Sequence, residues 1–117
     1  MSTHRPTKDI GQKAEEKALQ YLLNKGFVLR ERNYRCKRSE IDLILVESKT
    51  LVFVEVKYRS TSQFGHPEEF VSDNQKRSIL QGAEHYITEL DWQDPIRFDI
   101  IAIDAQFNIT HFEDAFY

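Results

Sequence analysis

A chain of 117 residues, 40% hydrophobic and 30% charged, has the makeup of a soluble globular protein and is long enough to bury a core as one domain over 1–117. The single cysteine, Cys36, excludes an internal disulfide framework, no apolar run reaches the length of a membrane span, and MSTHRPTKD carries no apolar leader segment, so a cytoplasmic protein with no membrane partner is expected, residues 1–6 being a loose arm. The net charge of −3 hides a split: residues 1–59 hold 13 Lys and Arg against 8 Asp and Glu, and residues 60–117 hold 3 against 11, an asymmetry that can mark a nucleic-acid face on an acidic chain.

Thr7 or Asp9 can cap a first helix running to about Lys25, with Gly26 placed to end it. Ile10, Ala14, Ala18, Tyr21 and Leu22 recur on it at helical spacing. FVLRERNYR, 27–35, predicts a strand with a polar surface, and SEIDLILVE, 39–47, and TLVFVEVKYR, 50–59, predict two more. Residues 60–71 read as a loop around Gly65 and Pro67. Ser72 followed by Gln75 is a capping box for a second helix over about 73–90, with a stripe of Ile79, Leu80, Ala83, Tyr86, Ile87 and Leu90. A turn at Asp94-Pro95 leads to a strand over 96–104 and a fifth candidate over 107–112. The order α-β-β-β-α-β-β predicts an α/β fold, one mixed sheet with helices packed on it.

The third strand carries two charges inside an apolar run. Alternation places Leu51, Phe53, Glu55 and Lys57 on one face, and Val52, Val54, Val56 and Tyr58 on the other, which is the apolar face. A two- or four-residue loop near 47–50 pairs the second and third strands so that partner numbers sum to 97. Asp42 then lies across from Glu55, and Glu40 across from Lys57. Two carboxylates side by side repel, and a hard divalent ion such as Mg²⁺ would relieve them, with Lys57 beside it to hold a water or meet phosphate charge. The other reading of the same four residues is a salt-bridge network in which Glu40 pairs with Lys57.

Glu15 falls inside the apolar arc of the first helix, between Leu22 and Leu19, whereas Glu16 falls outside. An inward carboxylate needs a partner, and Gly11 one turn earlier permits close approach, so Glu15 is a candidate for the same site. Its alternative is a border residue that curls out to water. Lys76 lies in the stripe of the second helix and either leans toward phosphate or snorkels. Arg30, Arg32, Arg35, Lys37 and Arg38 form the densest basic segment, which reads as a nucleic-acid face or as a solvated strand and loop. His4, His66, His85 and His111 show no metal-ligand spacing, Cys36 has no partner motif, and Asp99 reads as structural.

Asp42 followed by Glu55-Val56-Lys57, with Glu15 upstream on a helix, resembles the PD-(D/E)xK superfamily of restriction-endonuclease-like nucleases. The ordered set Gly11, Ala14-Glu15, Ala18, Tyr21-Leu22, Gly26, Arg32-Asn33, Glu40-Ile41-Asp42-Leu43-Ile44, Leu51, Lys57, Arg59, Phe64-Gly65, Val71, Lys76 and Arg97-Phe98-Asp99 is similar to the YraN family of small bacterial proteins. The resemblance covers nearly the whole chain. It implies a nuclease core in which Asp42, Glu55 and the Val56 carbonyl hold Mg²⁺ or Mn²⁺. Lys57 is then the catalytic lysine and Glu15 a further acidic site residue, as in archaeal Holliday-junction resolvases. The expected activity is hydrolysis of DNA phosphodiesters on branched or repair-intermediate DNA, with Arg59 joining the basic segment and Lys76 on the backbone. A catalytically silent nucleic-acid-binding or repair-complex subunit is the alternative. A homodimer, or a protein partner on the acidic second half, belongs to the same expectation. The family usually has Gly where this chain has Ser39.

Overall fold

The computed structural model describes residues 8–60 and 71–116. The elements are α1 (Lys8–Asn24), β1 (Val28–Cys36), β2 (Ser39–Glu47), β3 (Thr50–Tyr58), α2 (Asp73–Leu90), β4 (Ile96–Ile103) and β5 (Ile109–Phe112). The expected α/β order is therefore observed, with boundaries within two residues. Asp9 lies inside the first turn of α1 rather than capping it, and makes an ion pair with Lys13 at 3.3 Å. The Thr7 cap, the arm over 1–6 and most of the loop over 60–71 fall outside the described residues.

Local chemistry sets the helix ends. At the end of α1, Gly26 takes φ +97° while its N–H reaches the Leu23 carbonyl and the Phe27 N–H reaches that of Leu22. A side chain would resist that left-handed turn, so glycine fits it. The capping box of α2 is present in full: Ser72 Oγ accepts from the Gln75 N–H, and the Gln75 side chain accepts from the Ser72 N–H.

The five strands lie in the order β1-β2-β3-β4-β5, with β3 and β4 parallel and the other neighbours antiparallel. Helix α2 forms the crossover between the two parallel strands, the length such a connection needs. One core packs α1 on the sheet through Ala14, Ala18, Leu19 and Leu22 against Leu43, Leu45, Val52, Val54, Ile101 and Ile103, with Val56 and Tyr58 at its margin. The other packs α2 on the opposite face through Ile79, Ala83 and Tyr86 against Ile41, Ile44, Leu51, Phe53, Phe98 and Ile100. The expectation of a single apolar face on β3 is thus corrected. Leu51 and Phe53 are as buried as Val52 and Val54, because a helix covers each side. Burial on both faces is the usual reason a strand reads as an unbroken apolar run.

Of the glycines inside the two helices, Gly82 has a packing reason. A Cβ there would lie 3.1 Å from Ser39 Cβ and 3.2 Å from Ile41 Cδ1, so its absence lets α2 settle on β2. Among the described residues, no helix is long and apolar enough to cross a membrane.

Candidate active site

The loop between β2 and β3 is the two-residue Ser48-Lys49, with Ser48 at φ 56° and Glu47 paired with Thr50. Partner numbers sum to 97 as far as Leu43 and Val54, where the ladder stops. Beyond that point β2 stays with β1, down to the pair Cys36 and Ser39, and β3 stays with β4, up to Tyr58 and Ile103. Ile41 and Leu43 are two residues apart yet belong to opposite cores, so β2 rolls over at Asp42. The two central strands part at the acidic positions.

Asp42 fills the opening. Its Oδ2 accepts from the Val56 N–H at 2.8 Å, replacing the ladder bond that β2 no longer supplies. The Asp42 and Glu55 carboxyl groups face each other closely enough for each to act on the other's proton. Burial pushes the Asp42 carboxyl up, against the Val56 bond, and the nearby charge of Glu15 adds to the rise. Burial pushes Glu55 up further, and the Asp42 charge reinforces it against the pull of Lys57. Lys57 Nζ lies 3.8 Å from Glu55, with about a fifth of its side chain exposed.

Above Asp42 is an open cleft of about 910 Å³, lined by α1 on one side and by β1 and the parted strands on the other, with Glu55 behind its lining. Glu15, Arg32, Arg35, Glu40, Asp42, Val56 and Lys57 all reach it. Glu15 points inward as its place in the helical arc predicts, with 17% of its side chain exposed against 50% for Glu16. Glu40 departs from the expected register. It pairs with Arg35, its direct neighbour on β1, at 2.8 Å instead of facing Lys57, because β2 follows β1 after the split.

The basic residues divide. Arg32 lies 3.6 Å from Glu15 and 3.2 Å from Glu16, and Arg35 holds Glu40, so the two that line the cleft are engaged with carboxylates. Arg30 is exposed on β1, and Arg38 is exposed in the turn after it. Lys37, in that same turn, faces a separate hollow with Cys36, Gln81 and His85. Arg59 is exposed past the end of β3, its N–H bonded to the Ile103 carbonyl. Lys76 sits in the first turn of α2 beside Asp73 and Arg77, outside the cleft lining. Sequence reasoning passes over Asn33, which lines the cleft with a left-handed φ of 52° in the middle of a strand. A strand Asn carries only a weak signal of that kind.

The donor set can be weighed for a metal. Among the described residues no three His, Cys, Asp or Glu side chains converge into a ready-made cage. Mg²⁺ rarely uses one, being held by one or two carboxylates plus water and substrate oxygens. Asp42 and Glu55, crowded together and poor in counter-charge, fit that pattern.

Fold and site define a class: an α/β protein whose mixed sheet opens between its two central strands around a carboxylate pair and a lysine. The profile described as "Uncharacterised protein family UPF0102" matches residues 14–103, and this chain belongs to that family, the YraN family. The chain is similar to the UPF0102 protein of Christiangramia forsetii, 40% identical over 112 residues that cover 93% of this chain and 94% of that one. It is also similar to the UPF0102 protein of Psychromonas ingrahamii, 44% identical over 96 residues, 82% of this chain and 79% of the relative. Among solved structures it is similar to "The structure of Pyrococcus Furiosus SfsA in complex with Ca2+", at 17% identity and a TM-score of 0.32. That match covers 90% of this chain, which spans 61% of that protein.

Proposed function

We propose that this protein is a metal-dependent nuclease that hydrolyses phosphodiester bonds of DNA. The observation that carries the reading is the Asp42–Glu55 pair, two largely buried carboxyl groups that face each other where the β2–β3 ladder opens, with Asp42 and Lys57 lining the cleft. A structural salt-bridge network would match each carboxylate with a cation. Here burial pushes both groups up, the charge of Glu15 adding to the rise at Asp42 and that of Asp42 to the rise at Glu55, and among the described residues the cation that meets the pair is the Lys57 ammonium, 3.8 Å from Glu55.

Asp42 and Glu55, with the Val56 carbonyl, would hold Mg²⁺ or Mn²⁺. When bound, such an ion supplies Lewis acidity that lowers the pKa of a water and neutralises charge on phosphate. The chain's own groups do the rest. The Val56 N–H fixes Asp42 in one orientation, so the ligand is set before substrate arrives. Lys57 projects into the cleft, where its ammonium can hold the attacking water or meet charge that develops on the phosphoryl oxygens. Glu15 adds negative charge on the helix side, where Arg32 lies 3.6 Å from it. Arg32, Arg35 and Arg59 are the nearest candidates for backbone phosphates.

The test is cleavage of linear and branched DNA by purified protein in Mg²⁺ and Mn²⁺, beside Glu55→Gln and Lys57→Ala. Activity lost in both variants supports the reading. Activity unchanged in both would place the chemistry elsewhere.

A further inference from the structure

Among the described residues, nothing packs where a side chain at Gly11 would stand. It is the fourth residue of α1 and is exposed, and its φ lies outside the left-handed range that calls for glycine. A Cβ built on it meets nothing within 4 Å among the described residues. Gly82 gives the contrast, since a Cβ there would press on Ser39 and Ile41. Glycine inside a helix is unfavourable relative to alanine, so a position where alanine fits freely and glycine stands has a cost without a packing reason. The sequence reading has the missing side chain permit close approach, and no described residue makes one.

What Gly11 does face is the cleft. It lines the same surface as Glu15, Asp42, Val56 and Lys57. A second irregularity lies on the β1 wall. Asn33 takes a left-handed φ of 52° while the β1–β2 register runs unshifted from Arg32–Leu43 to Tyr34–Ile41, and it lines the cleft as well. A left-handed residue other than glycine is uncommon, and such conformations cluster at functional sites. The carboxylates at the rim are each matched by a cation: Asp9 by Lys13 at 3.3 Å, Glu16 by Arg32 at 3.2 Å and Glu40 by Arg35 at 2.8 Å. A polyanion entering here meets no unpaired rim carboxylate among these three.

We propose that Gly11 is a substrate contact: the sugar–phosphate backbone of the nucleic acid lies directly against the bare main chain of α1 there, between that helix and Asn33 of β1. The inference rests on the nuclease reading and deepens it by naming where the strand runs. A methyl group at position 11 then improves the helix while it intrudes on the ligand, a combination that a merely structural glycine does not produce.

The full chain with Gly11→Ala and Gly11→Leu tests this. Thermal melting is measured beside fluorescence anisotropy of labelled single-stranded, duplex and four-way-junction DNA, in EDTA and in Mg²⁺. The Ala variant is expected to melt roughly 2–5 °C higher than the parent, since alanine narrows the unfolded ensemble and favours the helix. Its DNA affinity is expected to fall about tenfold, and that of the Leu variant further, as overpacking against a close ligand does. Unchanged affinity in both variants, with the parent binding DNA, overturns this inference and leaves the nuclease reading standing. A lowered melting temperature for the Ala variant also overturns it, because the chain itself would then occupy the space. A parent that binds none of the three DNAs in either buffer overturns the nuclease reading, and the contact falls with it.

Discussion

Asp99 on β4 and the Asp42–Glu55 pair at the β2–β3 opening are both removed from water, yet their surroundings treat them in opposite ways. Asp99 is fully buried, and burial alone would push its carboxyl up. His111 Nε2 at 2.8 Å, two guanidinium nitrogens of Arg97 at 2.9 Å and the Asp114 N–H at 3.0 Å outweigh that and hold it below the usual carboxylate range. The network runs on through His111 Nδ1 to the Tyr21 hydroxyl at 3.1 Å, which accepts from Lys25, so it ties β4 and β5 to α1. Asp42 and Glu55 have one backbone N–H, each other and a lysine. A buried carboxylate with every lone pair answered is a structural joint. A buried pair left short of positive charge is, on the proposed reading, where a cation would bind.

The largest effect that separates them is on stability. Asp99→Ala leaves Arg97, His111 and the Asp114 N–H without their acceptor, and a loss of about 3–5 kcal/mol is expected by urea denaturation. Asp99→Asn, which keeps the shape, should lose less, and a neutral result for both would dissolve the distinction. Glu55→Gln is expected to do the reverse. Without metal, its stability equals or exceeds the parent's by up to about 1 kcal/mol, since one of two crowded acids becomes neutral. Its DNA cleavage should fall on the order of 10²- to 10³-fold, comparable to loss of one preorganised electrostatic group.

The pH response sharpens the contrast, because the signs differ. Asp42 and Glu55 are raised in the folded state, to about 6 and about 8, so folding takes up protons above the ordinary carboxylate range. Stability of the metal-free protein should therefore decline as pH rises from near 4 to about 8, and Mg²⁺ should restore it at the upper end. Asp99 is lowered, so its contribution is full at neutral pH and is lost only as acid approaches its depressed pKa. Denaturation midpoints at several pH values, with and without Mg²⁺, read both. A flat metal-free profile between pH 5 and about 8 would contradict the pair's environment. The smallest effect belongs to Arg32→Ala at the cleft rim. Its pairs are part-exposed, so stability should change by less than about 1 kcal/mol, while the salt dependence of DNA binding loses about one unit of slope.

Much of this contrast is legible without coordinates. Alternation along 51–58 and an even loop after Glu47 are enough to bring Asp42 toward Glu55, because a two-residue period leaves one register for an even loop. The angular position of Glu15 separates it from Glu16. What the chain does not reveal locally is which neighbour a strand keeps when it must choose. Glu40 goes with Arg35 because β2 follows β1 past the opening, and nothing in SEIDLILVE states that preference. Asp99 reads as structural, but its partners His111 and Asp114 come from a strand and turn more than ten residues away. The left-handed Asn33 is invisible for a related reason: its conformation answers the roll of the opposing strand.

The contact between Gly82 and Ser39 links two positions 43 apart in the chain. With so little room between α2 and β2, the two sites share a single allowance of volume, and growth at one has to be met by shrinkage at the other. Gly82→Ala in this chain should be disfavoured, since the new methyl meets Ser39 and Ile41. Ser39→Gly should relieve part of that cost, and a double-mutant cycle would read the coupling directly. Ser39 and Ile41 together hold position 82 to glycine, so a smaller residue at 39 frees that position only in part.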